Sequence, residues 1–174
     1  MPALTVHSFS REEILSHREA LADILENCVA GGASVSFMLP FSQARAGEFW
    51  SDIAESVGRQ ARTVLVCKDE AGQLLGTVQL VTDQPENQPH RADVAKLLVH
   101  EKARRQGVAM LLMDALESVA RTQHKTVLVL DTATGSGAET FYQRAGWQKS
   151  GEIPRYALMP DGEMTATSVF YKFL

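Results

Sequence analysis

Residues 104–109, Arg-Arg-Gln-Gly-Val-Ala, follow an apolar strand-like run over residues 94–99 and open a segment of helical periodicity. Strand, basic turn, glycine and helix in that order aim several backbone N–H groups and a helix N-terminus at one place. The first N–H groups of a helix have no partner inside it, and the aligned peptide dipoles make that end positive. Such a place suits a diphosphate. Arg104 and Arg105 stand beside it, and Gly107 with the small Ala109 lets the backbone come close to a ligand.

The elements that must hold this turn can be read along the chain. Residues 4–9 form a short first strand. Ser10-Arg-Glu-Glu13 is a capping-box pattern, and Ile14, Leu15, Leu21, Ile24, Leu25 and Cys28 then share the face of one helix that stops at Gly31-Gly32. Residues 33–40 are apolar and irregular. A second helix follows Ser42, with Phe49, Trp50, Ile53 and Val57 as its stripe and Gly58 at its end. Residues 63–67 and 74–82 flank Asp69-Glu-Ala-Gly72 and predict a hairpin, residues 83–90 a loop, and residues 91–99 the strand that enters the glycine turn.

The helix after that turn is the best patterned in the chain: Val108, Leu111, Leu112, Ala115, Leu116 and Val119 recur at helical spacing. Residues 126–131 are a strand and residues 132–137 a turn. A short helix carrying Phe141 and Tyr142 is capped by Gly146, and strands begin at Trp147 and Thr167 around a turn at residues 159–162. Strict alternation places Asp93, Ala95, Leu97 and Val99 on one face of their strand and Val94, Lys96 and Leu98 on the other. No repeat, linker or low-complexity tract interrupts the order, so residues 1–174 read as a single α/β domain with a mixed sheet; the hairpins exclude an all-parallel one.

Composition narrows the function. The chain has 174 residues and a formal charge of −4, with no basic stripe, which excludes a nucleic-acid footprint. Apolar runs are shorter than the roughly 20 residues a membrane span needs. Cys28 and Cys67 lack any CxxC or Cys/His ligand spacing and are expected to be reduced, buried thiols in a cytoplasmic protein; no metal site is expected either. There is no GxxxxGK[ST] loop for a nucleotide phosphate and no GxGxxG for a dinucleotide.

Arg104-Arg-Gln-Gly107-Val-Ala109 resembles the acyl-CoA signature (R/Q)-x-x-G-x-(G/A) of the GCN5-related N-acetyltransferase (GNAT) superfamily. Phe141-Tyr142-Gln-Arg-Ala-Gly146-Trp147 resembles its later signature F-Y-x-x-x-G-(F/W), and the spacing and element order between the two agree. Residues 31–38, 91–98, 130–132, 151–156 and 160–162 are also similar to the tabtoxin-resistance type, whose members acetylate an amine on a small β-lactam-like toxin. The resemblance implies the GNAT fold: a central, mixed but mostly antiparallel sheet of about seven strands with flanking helices.

It implies further that acetyl-CoA lies in a wedge between the strands ending at Val99 and Leu130. Main-chain groups of Leu98 and Val99 would hold the pantetheine arm. The N–H groups of Arg104, Arg105, Gln106, Gly107, Val108 and Ala109 would hold the diphosphate. Ser136 stands where many members carry an Asn that contacts the arm.

Acetyl transfer to an amine needs a deprotonated amine, donors for the tetrahedral oxyanion, and a proton or hydrogen bond for the leaving thiolate. By resemblance Tyr142 is the general acid, and Asp131 and Asp93 are candidates for activating the amine. Position 93 carries the shorter Asp where the resemblance points to Glu; that sets the carboxylate back by a methylene and favours action through water. Ser34, Phe37, Met38, Glu152, Arg155 and Tyr156 are candidates for the acceptor side. The function so implied is acetyl transfer to a small-molecule amine by a direct route, with toxin or antibiotic detoxification as a role. A protein-acetylating member and a non-catalytic acyl-CoA sensor are the alternatives, and a homodimer stays open.

Overall fold

The computed structural model describes residues 3–174, so residues 1–2 of the expected domain lie outside the described residues. Strands β1 (Thr5–Phe9), β2 (Arg62–Lys68), β3 (Leu74–Val81), β4 (Arg91–Val99), β5 (Val127–Ala133), β6 (Gln148–Leu158) and β7 (Met164–Phe173) form one seven-stranded sheet in the order β1-β2-β3-β4-β5-β7-β6. Every pairing is antiparallel except β4 with β5. Helices α1 (Arg11–Ser16), α2 (Arg18–Ala30) and α3 (Gln43–Gly58) cover one face, while α4 (Val108–Thr122) and α5 (Gly137–Arg144) cover the other. This is the expected GNAT fold.

Local chemistry accounts for most boundaries. The capping box forms at both ends: Ser10 Oγ accepts from the Glu13 N–H at 3.2 Å, and Glu13 Oε1 from the Ser10 N–H at 3.0 Å. The β2–β3 hairpin turns because Asp69 Oδ1 accepts from the Ala71 and Gln73 N–H groups, both at 2.9 Å. The expected single first helix is two. The chain leaves helical geometry at His17, whose Nδ1 lies 2.8 Å from the Glu13 carbonyl oxygen and whose ring stacks 4.9 Å from Phe9.

The sheet separates two cores. On the α1–α3 side Trp50, Leu21, Ile24, Leu25, Val64, Val66 and Leu98 are sealed together. On the α4–α5 side Leu112, Met113, Leu116, Leu128, Leu130 and Phe170 do the same. The α4 stripe is rotated from expectation: Leu111 is 39% exposed, whereas Met113 is buried. Gly76 on β3 sets that contact, since a Cβ there would lie 2.8 Å from the Leu98 carbonyl oxygen and 2.9 Å from Val108 Cγ1. The close approach seats the N-terminus of α4 against the end of β4. Lys172 on β7 then ties α4 down, pairing with the buried Glu117 at 3.0 Å and donating to the Ala145 carbonyl at 2.7 Å.

Candidate active site

β4 and β5 pair only at Arg91–Val127, Ala92–Leu128 and Asp93–Val129. Beyond Asp93 the two strands part, leaving a gap between neighbours in the middle of a sheet. The His100 N–H donates to the Leu75 carbonyl at 2.9 Å, so alternation turns the N–H and C=O of Val99 away from β3 and towards the gap. Leu98, by the same parity, spends its backbone on β3 and its side chain on the α1–α3 core. Of the two residues expected to hold a pantetheine arm, Val99 is the one whose backbone faces the gap. Its carbonyl has only long contacts, from Cys28 Sγ and Arg104 Nε, each at 3.4 Å.

At the mouth of the gap a single 3-10 turn, Glu101–Ala103, leads into residues 104–107. Arg105 at φ 60° and Gly107 at φ 81° are both left-handed, which curls the chain so that successive amides face inward. Gly107 caps α4 without a side-chain hydrogen bond, and the N–H groups of residues 105–110 find no acceptor among the described residues. The run of free donors thus starts at Arg105, because the Arg104 N–H already donates to the Glu101 carbonyl. The Arg104 guanidinium also turns back, towards Val99 and within 3.9 Å of the position a Gly31 Cβ would take.

Tyr142 on α5 is buried in the α4–α5 core, its ring set edge-on to Phe141 at 5.3 Å and to Trp147 at 5.9 Å. Burial, with the negative charge of Asp131 adding to it, pushes the phenol up to about 12. The hydroxyl therefore stays protonated through the neutral range and acts as a donor. Asp131 lies near the end of β5, solvent-exposed, and accepts from Thr167 Oγ1 at 2.7 Å. Asp93 differs: its carboxylate is held by Arg91 and by Gln84 Nε2 at 3.0 Å, and Arg91 is itself fixed by Gln84 and Gln88. Asp131 is thus the carboxylate without a cationic partner, and Asp93 the one already matched. Ser136 is the N-cap residue of α5, its Oγ 3.4 Å from Thr132 Oγ1.

The expected alternation along β4 fails at its midpoint. The β3–β4 register slips between Thr77 and Gln79, and Lys96 sits at φ 56°. This is a β-bulge: one extra residue on β4 reverses which side chains share a face. Ala92 and Val94 join the α4–α5 core, and so do Leu97 and Val99, while Leu98 joins the opposite one. Asp93 and Leu97, expected together, lie on opposite faces. The bulge carries Lys96 to the α1–α3 side, where Nζ reaches Ser36 Oγ at 3.3 Å. Burial first, and Arg62 second, hold its ammonium below the usual lysine range, while Asp131 acts in the opposite sense. Asp131 therefore bears electrostatically on both Tyr142 and Lys96. Strict alternation sets Lys96 on the face opposite Asp93 and so outside the expected site residues; the bulge puts the two on the same face.

Residues 33–40 and the β6–β7 hairpin enclose this side, joined by the Leu39 N–H donating to the Pro160 carbonyl at 2.9 Å. Of the six acceptor-side candidates, Phe37 packs against the α1–α3 core, its ring tilted on Phe41 at 4.6 Å and edge-on to Phe49 at 5.3 Å. Met38 and Tyr156 are exposed, and Ser34 is half-buried. Glu152 pairs with Lys149 at 2.6 Å, and Arg155 lies at φ 52° inside a register shift of β6. They are dispersed around the rim rather than gathered.

Residues 16–147 match the acetyltransferase (GNAT) family. The chain belongs to this family. Among curated proteins it is 30% identical over 132 residues to N-acetyltransferase 8 of Rattus norvegicus, covering 68% of this chain and 60% of that protein. It therefore spans less than two thirds of that relative's length. A ribosomal-protein-alanine N-acetyltransferase from Brucella melitensis shares the fold at a TM-score of 0.81 and 20% identity, over 98% of this chain and 99% of that one. So does yncA of Salmonella typhimurium, solved with its cofactor acetyl-CoA, at a TM-score of 0.79 and 16% identity, over 99% and 94% of the two chains.

Proposed function

We propose that this GNAT-family chain transfers the acetyl group of acetyl-CoA to an amine of a small molecule, directly within a ternary complex. The observation that carries the reading is the parting of β4 and β5, with the free amides of residues 105–110 following β4, Asp131 on β5 two residues past the last β4–β5 pair, and the buried Tyr142 under the influence of its charge. Acetyl-CoA, when bound, supplies an activated acyl group on a thiol leaving group. The N–H groups of residues 105–110 and the positive end of α4 would hold its diphosphate, and the Val99 backbone its pantetheine arm. Tyr142, protonated and aimed from a water-poor wall, donates to the departing sulfur. Asp131 takes the proton of the acceptor amine, directly or through water. Asp93, bound to Arg91 and Gln84, fixes the sheet beside the acceptor rather than moving a proton. Cys28 and Cys67 are both buried, which favours direct transfer over a route through an acylated cysteine.

The tie between residues 33–40 and the β6–β7 hairpin supports a small acceptor, since it bridges the side on which a protein chain would have to enter. Detoxification of an amine-bearing toxin is one role for such an enzyme. Asp131→Asn tests the reading. Turnover, followed as CoA thiol release over a panel of amines, should fall at least about 10-fold, with acetyl-CoA affinity by calorimetry unchanged. Full activity in Asp131→Asn, or no thiol release by the unaltered chain with any amine, would overturn it.

A further inference from the structure

The α1–α3 face of the sheet carries a cluster of donors that the transfer chemistry does not use. Arg62, at the start of β2, donates through Nε to Ser56 Oγ at 2.8 Å and through Nη1 to Gln79 Oε1 at 2.7 Å. The second bond orients the amide: Oε1 faces Arg62, which leaves Nε2 to donate elsewhere. Gln79 is fully buried, yet its Nε2 has no acceptor. Gln79 pairs with Ala95, the residue before the bulge, and its side chain shares the α1–α3 face with Lys96.

Lys96 in turn has the Ser36 hydroxyl as its hydrogen-bond partner. Among the described residues neither Lys96 nor Arg62 has a carboxylate within salt-bridge distance. Asp93 cannot serve them, being already held by Arg91 and Gln84. Half-buried cations without an anionic partner and a buried amide donor without an acceptor are unfavourable, and one oxyanion would relieve them together. The opposite charge is also at hand: Asp131 is matched by a hydroxyl alone.

We propose that the acceptor is an amine bearing its own carboxylate, seated with the carboxylate on Gln79 Nε2 and the Lys96 ammonium and with the amine towards Asp131. Arg62 acts behind Gln79 as a positioning residue. This deepens the acetyl-transfer reading and rests on it.

Amino acids and their methyl esters, offered as acceptors to the full chain, test the proposal. The unaltered chain should turn over the free acid with a kcat/KM at least about 10-fold above the ester, since charge-assisted bonds to the carboxylate are lost in the ester. Lys96→Met should bring that ratio near unity, and Lys96→Arg should retain most of it. Equal rates for acid and ester in the unaltered chain, or an unchanged ratio in Lys96→Met, overturn the proposal.

A second readout needs no turnover. The Gln79 side-chain amide resonance, assigned through its own backbone, should shift with a free amino acid or its N-acetylated form and not with the ester. If this shift is seen while no amine is acetylated, the transfer reading fails and the carboxylate site stands. If acetylation proceeds and the resonance stays still, the carboxylate site alone is overturned.

Discussion

The two sides of the β4–β5 gap are built from different materials. On the donor side the groups that point inward are backbone amides, from residues 105–110 and Val99, shaped by two left-handed residues and one helix end. On the proposed acceptor side they are side chains: Lys96 from a bulge, Gln79 from β3 with Arg62 behind it, Asp131 from β5, and Ser36 from the irregular residues 33–40. A backbone site recognises what every member of a family shares, because almost any side chains can build it. A side-chain site can be rebuilt position by position without disturbing the fold. The donor half thus suits a common acyl carrier and the acceptor half a particular amine.

If the halves are independent, changes should separate in the measurements. The largest effect belongs to Tyr142, which stands between them: Tyr142→Phe should lower kcat about 100-fold or more and leave acetyl-CoA affinity in place. A loss confined to donor affinity would move Tyr142 wholly to the donor side. The same substitution has an alkaline signature. Tyr142 is one of three tyrosines and should ionise near about 12 in the folded chain, against about 10 unfolded. Its folded pKa is raised, so its contribution to stability is whole below pH of about 10 and lost as the pH climbs towards about 12. A tyrosinate titration should show that late step, and Tyr142→Phe should abolish it.

Next in size is the frame of the donor half. Lys172→Met leaves the buried Glu117 with only the longer pair to Arg121 at 3.8 Å; with part of Lys172 in contact with water, the cost is about 2 kcal/mol, or roughly 5 °C in Tm. Thermal unfolding reads it, and an unchanged Tm would show that α4 is held by packing alone. Smaller is Gly107→Ala. An added Cβ meets nothing within 4 Å, so the penalty is conformational: about 1 kcal/mol for a left-handed alanine. Acetyl-CoA affinity should weaken about 5-fold, with acceptor KM unmoved. An equal change in acceptor KM would show that the halves are coupled. Smallest is Asp131→Asn read by titration: removing the charge that raises both Tyr142 and Lys96 should lower both pKa values, and a change in one alone would dissolve the common cluster.

How much could be read in advance follows the same division. The Ser10–Glu13 box, the Asp69 hairpin, the bounds of β4 and the start of α4 at Val108 were all legible, because each depends on residues a few positions apart. The split at His17 was not, since it needs Phe9 from a neighbouring element to stack on the ring. Gly76 offered a weak signal, a glycine inside a strand pattern, but its meaning lies in Val108 and Leu98 on two other elements. Asp93 and Asp131 look alike in the sequence; Arg91, Gln84 and Thr167 make them different.

By itself the sequence determined the strands, most helix bounds and the glycine turn that opens α4, for which local conformation and periodicity suffice. Tertiary structure decided which side chains meet across the gap. One extra residue in β4 turns Lys96 and everything after it to the opposite face, and the extra residue exists only in relation to the register of β3. Alternation counted along a single strand has no access to that relation, because a bulge is a property of two strands.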